Sequence, residues 1–281
     1  MKKKDIFFVS LFTVAFLVSA VIMAGDHLLK SLEKSMDSYP LQHSSEEIAE
    51  TTEREMIAQV DQETKSAIVE VTEMLPEEEE QAPLEFETVD KDYFDDALFV
   101  GDSRTVGIME YGGLENAAFF ADSGMSVYGL EFKKISVPDV GKVTFEELLD
   151  SRQFGKIYLM LGLNELGYRF DATEQKYKDT VDKIREQQED AIIYLCANMH
   201  VTEEQSEKDK IYNNTNVNQM NDLIESLADN ETIFYIDVNE LFDDETGSLS
   251  TEYSSDAFHV YGKHYVDWVD WLCTKAINIS E

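Results

Sequence analysis

The stretch Phe99-Val100-Gly101-Asp102-Ser103-Arg104 is an apolar strand that ends abruptly in a turn. Four more apolar runs of similar length follow it along the chain. Their near-continuous apolarity is typical of strands in a parallel sheet that is covered on both faces. The five predicted strands are residues 97–100, 117–121, 157–161, 192–196 and 233–236.

Helical patterns separate these strands. A last helix is predicted over residues 263–277, with Val266, Val269 and Leu272 buried. Strands that alternate with helices indicate an α/β domain, and five strands favour the flavodoxin-like, three-layer fold with strand order 2-1-3-4-5. The apolar positions that mark two earlier helices are Tyr177, Val181, Ile184, Val217, Met220, Ile224 and Leu227.

Ser103 follows the first strand at its carboxyl end, which is where doubly wound sheets bind their ligands. It also opens a helix, so its backbone N–H is directed towards any developing anion. A serine hydroxyl needs an adjacent base, and the late segment Asp256-Ala257-Phe258-His259 offers an imidazole with a carboxylate to orient it. The plainer interpretation is that Asp102 or Ser103 only caps the helix and that Asp256 is a turn residue.

Two more polar segments follow predicted strands. Gly162-Leu163-Asn164-Glu165 ends the third strand, and the Asn164 amide is a donor suited to stabilising an oxyanion. Gly124 lies in the loop after the second strand, where a glycine most often only allows a turn. Both segments are expected at the ligand-binding edge of the sheet.

Three motifs thus occur in order: Gly-Asp-Ser at 101–103, Gly-x-Asn-Glu at 162–165 and Asp-x-x-His at 256–259. Together they resemble the SGNH/GDSL hydrolases, over roughly residues 93–273. The resemblance implies a serine esterase in which Ser103 is the nucleophile, His259 the base and Asp256 its orienting carboxylate. It also implies an oxyanion hole made of the Ser103 and Gly124 backbone N–H groups and the Asn164 amide. No metal or cofactor is implied.

Two positions depart from the family pattern. The residue after the asparagine is Glu165 where the family often has aspartate, which leaves the amide donor intact. The residue after the nucleophile is Arg104 rather than leucine. We expect this arginine to place a cation near the rim of the site, without a catalytic role.

The remaining histidines of the domain, an acidic turn and the two cysteines are not assigned catalytic roles. His264 is expected on the first turn of the last helix, in solvent or as a cap. His200 and the polar run 203–210 form either a lid or specificity loop or a surface loop without substrate contact. Residues 243–247 are predicted to form a turn, because they lack the ligand spacing of a calcium loop. Cys196 and Cys273 are interpreted as buried free thiols, with a single disulfide as the alternative.

The chain is strongly acidic. Its 281 residues include 58 Asp and Glu against 23 Lys and Arg, which gives a formal net charge of −35. Nucleic acid is therefore excluded as a partner, because its phosphates demand patches of Lys and Arg. Flat binding to an anionic lipid surface is disfavoured for the same reason.

The first 85 residues are predicted to anchor and space the domain that follows. An apolar run over residues 6–24 comes after Lys2, Lys3 and Lys4, and roughly 20 such residues suffice to cross a bilayer. We expect a signal anchor at 1–25 with its N-terminus in the cytoplasm, an acidic, partly helical stalk at 26–85 and a hydrolase domain at 86–281. The alternative is a cleaved signal peptide and a secreted protein. Self-association of the stalk is left open.

These features predict an exported, membrane-anchored serine esterase with its catalytic domain outside the cell. By analogy with the family, it removes small acyl groups, acetyl foremost, from cell-wall or surface polysaccharide. Two alternatives stay open: an O-acyltransferase that uses a sugar hydroxyl as acceptor, and a surface binding module without enzymatic activity. The expected partners are a small acyl ester or an acylated saccharide, with membrane contact through the N-terminal helix only.

Overall fold

A five-stranded parallel sheet lies at the centre of residues 84–278, the part of the chain that the computed structural model describes. In chain order the strands are β1 (Ala97–Gly101), β2 (Ala118–Ala121), β3 (Ile135–Val137), β4 (Gly141–Val143), β5 (Lys156–Met160), β6 (Ile192–Cys196) and β7 (Ile233–Ile236). The large sheet has the order β2-β1-β5-β6-β7, and all of its pairs are parallel. Counting only its own strands, this is the order 2-1-3-4-5, so the predicted strands and their arrangement are confirmed.

Helices cover both faces of this sheet. On one face Leu98 and Leu159 pack with α2, α3 and α5, and on the other Phe99 and Tyr158 pack with α1, α6 and α7. Successive side chains of a strand point to opposite faces, so each strand is buried on both sides and has a continuous apolar sequence. The helices are α1 (Ser103–Tyr111), α2 (Phe145–Ser151), α3 (Phe170–Gln187), α4 (Glu203–Lys208), α5 (Asn214–Glu225), α6 (Asn239–Phe242) and α7 (Tyr265–Leu272).

Strands β3 and β4 form a small antiparallel hairpin that the apolar pattern does not predict. Each has three residues, and Asp139 in the connecting turn has a φ of 62°. Ile135 pairs with Val143, and both side chains pack against the core. Strands as short as these give no periodic signal.

The last helix is shorter than the predicted span of residues 263–277. Gly262–His264 form a 3₁₀ turn, and α7 occupies only Tyr265–Leu272. Val269 and Leu272 are buried as predicted, but Val266 is 42 % exposed, so that part of the prediction is wrong. The fully buried ring of Trp268 takes the inward position instead.

Four aromatic rings form a column across neighbouring strands. Phe119, Phe99, Tyr158 and Tyr194 occupy matching register positions on β2, β1, β5 and β6. Their ring centroids are 5.2, 4.5 and 4.4 Å apart in that order. These distances are close to the spacing of hydrogen-bonded strands, about 4.8 Å, so the register of the sheet itself stacks the rings.

The segment before β1 pairs with the segment after α7. The Glu87 N–H donates to the Ala276 carbonyl at 2.8 Å, and the Val89 N–H donates to the Cys273 carbonyl at 2.9 Å. The Tyr93 hydroxyl donates to the Ile277 carbonyl at 2.7 Å.

Cys273 and Cys196 are both buried and free, as interpreted from the sequence.

The predicted signal anchor and almost all of the predicted stalk lie outside the described residues. Within residues 84–278, none of the helices has the length and apolarity that crossing a bilayer would require.

Tyr158→Ala is expected to lower the free energy of unfolding by about 3–5 kcal/mol, because it removes a buried aromatic ring and leaves a cavity in the column. Tyr261 is 41 % exposed, so Tyr261→Ala is a matched control that should change stability by less than about 0.5 kcal/mol. Urea denaturation followed by circular dichroism measures both. Equal losses in the two variants would contradict the importance of the column.

Candidate active site

Ser103, His259 and Asp256 form a continuous chain of hydrogen bonds at the carboxyl edge of the sheet. Ser103 Oγ lies 2.8 Å from His259 Nε2. On the other side of the ring, His259 Nδ1 lies 2.8 Å from Asp256 Oδ2. The structure therefore brings together Ser103 and His259, which are 156 positions apart in the chain.

The turn between β1 and α1 presents Ser103 to the histidine. Asp102 is the N-cap residue of α1, and its Oδ1 accepts a hydrogen bond from the Arg104 N–H at 3.0 Å. Ser103 is therefore the first helical residue. A Cβ at Gly101 would lie 2.0 Å from Thr105 Oγ1 and 2.7 Å from the Met160 carbonyl oxygen. Only glycine fits where the strand makes this close turn.

A compact loop orients the histidine. Asp256 Oδ1 accepts hydrogen bonds from the backbone N–H groups of Phe258 at 2.9 Å and His259 at 2.8 Å. Burial alone would raise the pKa of Asp256, but the hydrogen bond from Phe258 and those from His259 outweigh it and hold the pKa below its usual range. An ionised carboxylate at Nδ1 favours the tautomer whose Nε2 is free to accept a proton from Ser103.

The relay is open to solvent on the Asp256 side. The side chain of Asp256 is 55 % exposed and that of His259 is 37 % exposed. Ser103 is half-buried. Water therefore has direct access to the histidine.

The predicted oxyanion donors lie on loops after neighbouring strands. Gly124 is exposed and has a φ of 72°. Within residues 84–278, neither the Ser103 N–H nor the Gly124 N–H donates a hydrogen bond to another group of the protein. The Asn164 amide donates to the Met125 carbonyl at 2.9 Å and, over the longer distance of 3.3 Å, to Asp102 Oδ2.

Arg104 does not lie at the rim of the site, so that prediction is wrong. Its side chain is fully buried and contacts both oxygens of Asp102, with Nε to Oδ1 at 3.0 Å and Nη2 to Oδ2 at 2.5 Å. Nη2 also donates to Asn198 Oδ1 at 3.0 Å. Burial alone would lower the pKa of Arg104, but the Asp102 carboxylate outweighs it and raises the pKa, so the guanidinium stays charged. Asp102, the carboxylate that offsets the cost of burying this charge, is only two residues away. The sequence does not show that both side chains point into the core.

Glu165 bridges the two loops that carry Asn164 and Gly124. Its Oε1 accepts a hydrogen bond from the Val127 N–H at 2.6 Å, and its Oε2 accepts one from the Gly162 N–H at 3.1 Å. Burial raises the pKa of Glu165 to about 7, although the hydrogen bond from Val127 acts in the opposite direction. In the sequence the only sign of this bridge is a carboxylate directly after an apolar strand and its turn, which is too weak to predict it.

The other two histidines of residues 84–278 lie away from Ser103. His200 is buried, with Nδ1 2.7 Å from Asp243 and Nε2 2.6 Å from Asn218. Burial would lower the pKa of His200, but its hydrogen bonds to the Asp243 and Asn218 oxygens outweigh this effect and raise it. His264 precedes α7 and contacts Asp267 at 2.7 Å through Nδ1. Its side chain is only 15 % exposed, so it does not lie in solvent. It occupies the other expected position, the N-cap of α7, without a side-chain capping hydrogen bond.

Two other loops were considered from the sequence, the polar run after β6 and residues 243–247. The polar run after β6 contains the short helix α4, rather than a plain loop. Residues 243–247 form the predicted turn, in which the Gly247 N–H donates to the Asp244 carbonyl at 3.0 Å. In the described part of the chain, no group of three or more His, Cys, Asp or Glu residues is arranged to hold a metal ion.

A parallel α/β sheet with a serine–histidine–aspartate relay at its carboxyl edge is an arrangement of hydrolases. Residues 99–263 match the model of the GDSL-like lipase/acylhydrolase family. This match covers more than half of the chain, so the protein belongs to that family and is a carboxylic ester hydrolase. No curated protein matches the sequence.

The solved structures that match this chain share little sequence with it. An acetyl xylan esterase is 17 % identical, over 63 % of this chain and 96 % of that one, with a TM-score of 0.46. A GDSL-like lipase from Bacteroides thetaiotaomicron is 15 % identical, over 66 % and 88 %, with a TM-score of 0.48. A variant of an acetyl-xylooligosaccharide esterase from Geobacillus stearmophilus is 15 % identical, over 63 % and 93 %, with a TM-score of 0.43.

Stability is expected to depend on pH through Glu165. Its folded pKa is about 7, above the value of about 4.3 for an unfolded glutamate, so the folded state binds the proton more tightly. The resulting stabilisation is present at low pH and is lost as the pH rises from the unfolded towards the folded value, by an amount on the order of 2–3 kcal/mol. Glu165→Gln does not titrate and should remove this decrease.

Thermal melts of the wild type and Glu165→Gln at pH 5, 6, 7 and 8 measure this difference. His200 also has a raised pKa and loses its contribution as the pH rises, but it is present in both proteins and cancels in the comparison. If the two melting temperatures decrease in parallel between pH 5 and 8, Glu165 is not the group responsible.

Proposed function

We propose that this chain hydrolyses esters of small acyl groups through an acyl-enzyme on Ser103. The observation that carries the proposal is the relay from Asp256 through His259 to Ser103, with both contacts at 2.8 Å. A serine at that distance from an oriented imidazole has the base it needs to act as a nucleophile.

In the first step Ser103 Oγ bonds to the carbonyl carbon of the ester while its proton passes to His259 Nε2. The carbonyl π electrons move to oxygen and form a tetrahedral oxyanion. Asp256, whose pKa is lowered, stays ionised and stabilises the imidazolium. His259 then gives the proton to the alcohol oxygen as the carbon–oxygen bond breaks, and the alcohol leaves.

In the second step water attacks the acyl carbon and gives a proton to His259. The second oxyanion collapses, Ser103 regains its proton from His259 and the carboxylic acid is released. The histidine side chain is 37 % exposed, which supports water as the acceptor in this step.

Three donors serve the oxyanion in this mechanism. The Ser103 N–H is at the positive end of α1, where an anion is stabilised. The Gly124 N–H has no partner among the described residues. One proton of the Asn164 amide is held firmly by Met125, and the other makes only the 3.3 Å contact with Asp102, so the second is the proton for the oxyanion.

The substrate class we propose is an acetylated polysaccharide of the cell wall or cell surface. An open relay suits a small ester on a bulky polar polymer, since only the acyl group must enter the site. Tyr128 and Tyr168 are stacked with centroids 5.2 Å apart, on the segments that follow Gly124 and Asn164, and Tyr168 is 64 % exposed. Exposed tyrosine rings offer a sugar both an apolar face and a polar edge.

The proposed location is outside the cell, on a membrane anchor at residues 1–25. Support comes from the apolar run over residues 6–24 and the three lysines before it. The many acidic residues between the anchor and the domain would then be repelled by an anionic membrane surface.

His259→Ala is expected to lower kcat for p-nitrophenyl acetate by about 10³–10⁴-fold or more, because Ser103 loses its base. His264→Ala is the matched control and should stay within about threefold of the wild type, since His264 contacts Asp267 rather than Ser103. Initial rates with acetate, butyrate and octanoate esters also rank the acyl groups.

A fluorophosphonate probe tests the nucleophile directly. It should label the wild type, label His259→Ala much more slowly and not label Ser103→Ala. Folded wild-type protein that neither takes the probe nor cleaves any of the three esters would instead favour a binding module. Acetylated oligosaccharide formed when a soluble oligosaccharide is added would favour the O-acyltransferase.

The proposed anchor predicts that the full-length protein stays in the membrane fraction of cells after washing with high salt. External protease should release a fragment that contains residues 99–263, because the proposed topology puts the chain after the anchor outside the cell. The measurement is fractionation followed by mass spectrometry of the N-terminus. Recovery of a soluble protein that begins near Gly25 would show cleavage instead.

A further inference from the structure

A buried ion pair lies directly behind the proposed nucleophile. The side chains of Arg104 and Asp102 are 0 % and 1 % exposed. Arg104 reaches both carboxylate oxygens, at 3.0 and 2.5 Å, and Asn198 on the loop after β6 at 3.0 Å. These contacts connect the loop that carries Ser103 to another strand end.

The position of Arg104 is unfavourable unless it serves Asp102. The first turn of a helix has positive potential, which disfavours a cation, and burying a guanidinium costs solvation free energy. Its Nη1 has no hydrogen-bond partner in the described residues. The contacts that offset these costs are those to Asp102 and Asn198.

Asp102 is in turn next to the proposed oxyanion donor. Its Oδ2 accepts from the Asn164 amide at 3.3 Å and from Arg104 at 2.5 Å. An unpaired carboxylate here would compete for the amide proton, and its charge would repel an anion that forms beside Ser103. The guanidinium opposes both effects, because it occupies Oδ2 and neutralises the charge.

We infer that Arg104 is a positioning residue for ester hydrolysis, which neutralises Asp102 and leaves the second amide proton of Asn164 to the oxyanion. This inference rests on the proposed function of Ser103 and Asn164. Arg104 touches no reacting atom and acts only through Asp102.

The test is a double-mutant cycle on the full-length protein in detergent, with p-nitrophenyl acetate as substrate. Arg104→Met should lower kcat by about 10²-fold, the size of effect seen when one oxyanion donor is lost, while KM changes by less than about threefold. In an Asn164→Ala background the same substitution should lower kcat by less than about threefold, because the donor it acts on is already absent. A purely structural role would lower kcat equally in both backgrounds and overturn the inference.

A second arm tests the charge. Arg104→Met combined with Asp102→Asn removes both charges, and kcat should recover at least about tenfold relative to Arg104→Met alone. Failure to recover, with the protein folded, would contradict neutralisation as the cause. The control is Arg152→Met, which removes an exposed arginine stacked on Phe154 and should leave kcat unchanged.

Rates are referred to active sites counted by fluorophosphonate titration, so a loss of folded protein does not count as a loss of kcat. If Arg104→Met does not fold, the test uses Arg104→Lys and the double variant Arg104→Met with Asp102→Asn. Both variants keep the net charge of the pair at zero. Arg104→Lys should then retain at least about a tenth of the wild-type kcat, and a lower value would overturn the inference. Wild-type protein without labelling or hydrolysis would overturn the proposed function itself, which is a different outcome from normal wild-type activity with an unaffected Arg104→Met.

Discussion

The pairing of β1 between β2 and β5 is the constraint on which the rest of the site depends. Gly101 at the end of β1 is in register with Ala121 on one side and Met160 on the other. The three strands therefore end together, and the loops that follow them start at one edge. A shift of a single residue in either pairing would move the side chains of the shifted strand to the opposite face of the sheet and displace Gly124 or Asn164 from Ser103.

The sheet could be predicted from the sequence because burial on both faces makes each strand a continuous run of apolar residues. The motif residues could also be predicted, since Gly-Asp-Ser and Asp-x-x-His are local patterns that need no knowledge of distant contacts. Their mutual contact at 2.8 Å depends on the long loop before α7, which returns His259 to Ser103 although β7 lies three strands away from β1 in the sheet. Hydrophobic periodicity was less reliable for α7, where Trp268 rather than Val266 faces inward. Apolar residues occupy more than one side of this helix, so the pattern does not identify a single buried face.

The contacts of Arg104 and Glu165 could not be predicted, because each side chain also bonds to a group on a separate loop, Asn198 for Arg104 and Val127 for Glu165. A charged residue beside a catalytic motif looks like a surface residue until the carboxylate or the N–H groups that satisfy it are located. Glu165 meets Val127 and Gly162, while Arg104 meets Asp102 and Asn198. The site is thus supported by polar contacts between loops.

The seam between residues 87–89 and 273–276 determines where mechanical load enters the domain. A pull on the chain at residue 84 reaches first the backbone hydrogen bonds from Glu87 to Ala276 and from Val89 to Cys273. Ser103 is beyond β1, whose five residues are all buried and span roughly 17 Å at 3.3 Å per residue. Tension along the chain therefore acts first on the seam and on the start of the sheet, whereas Ser103 lies at the opposite edge.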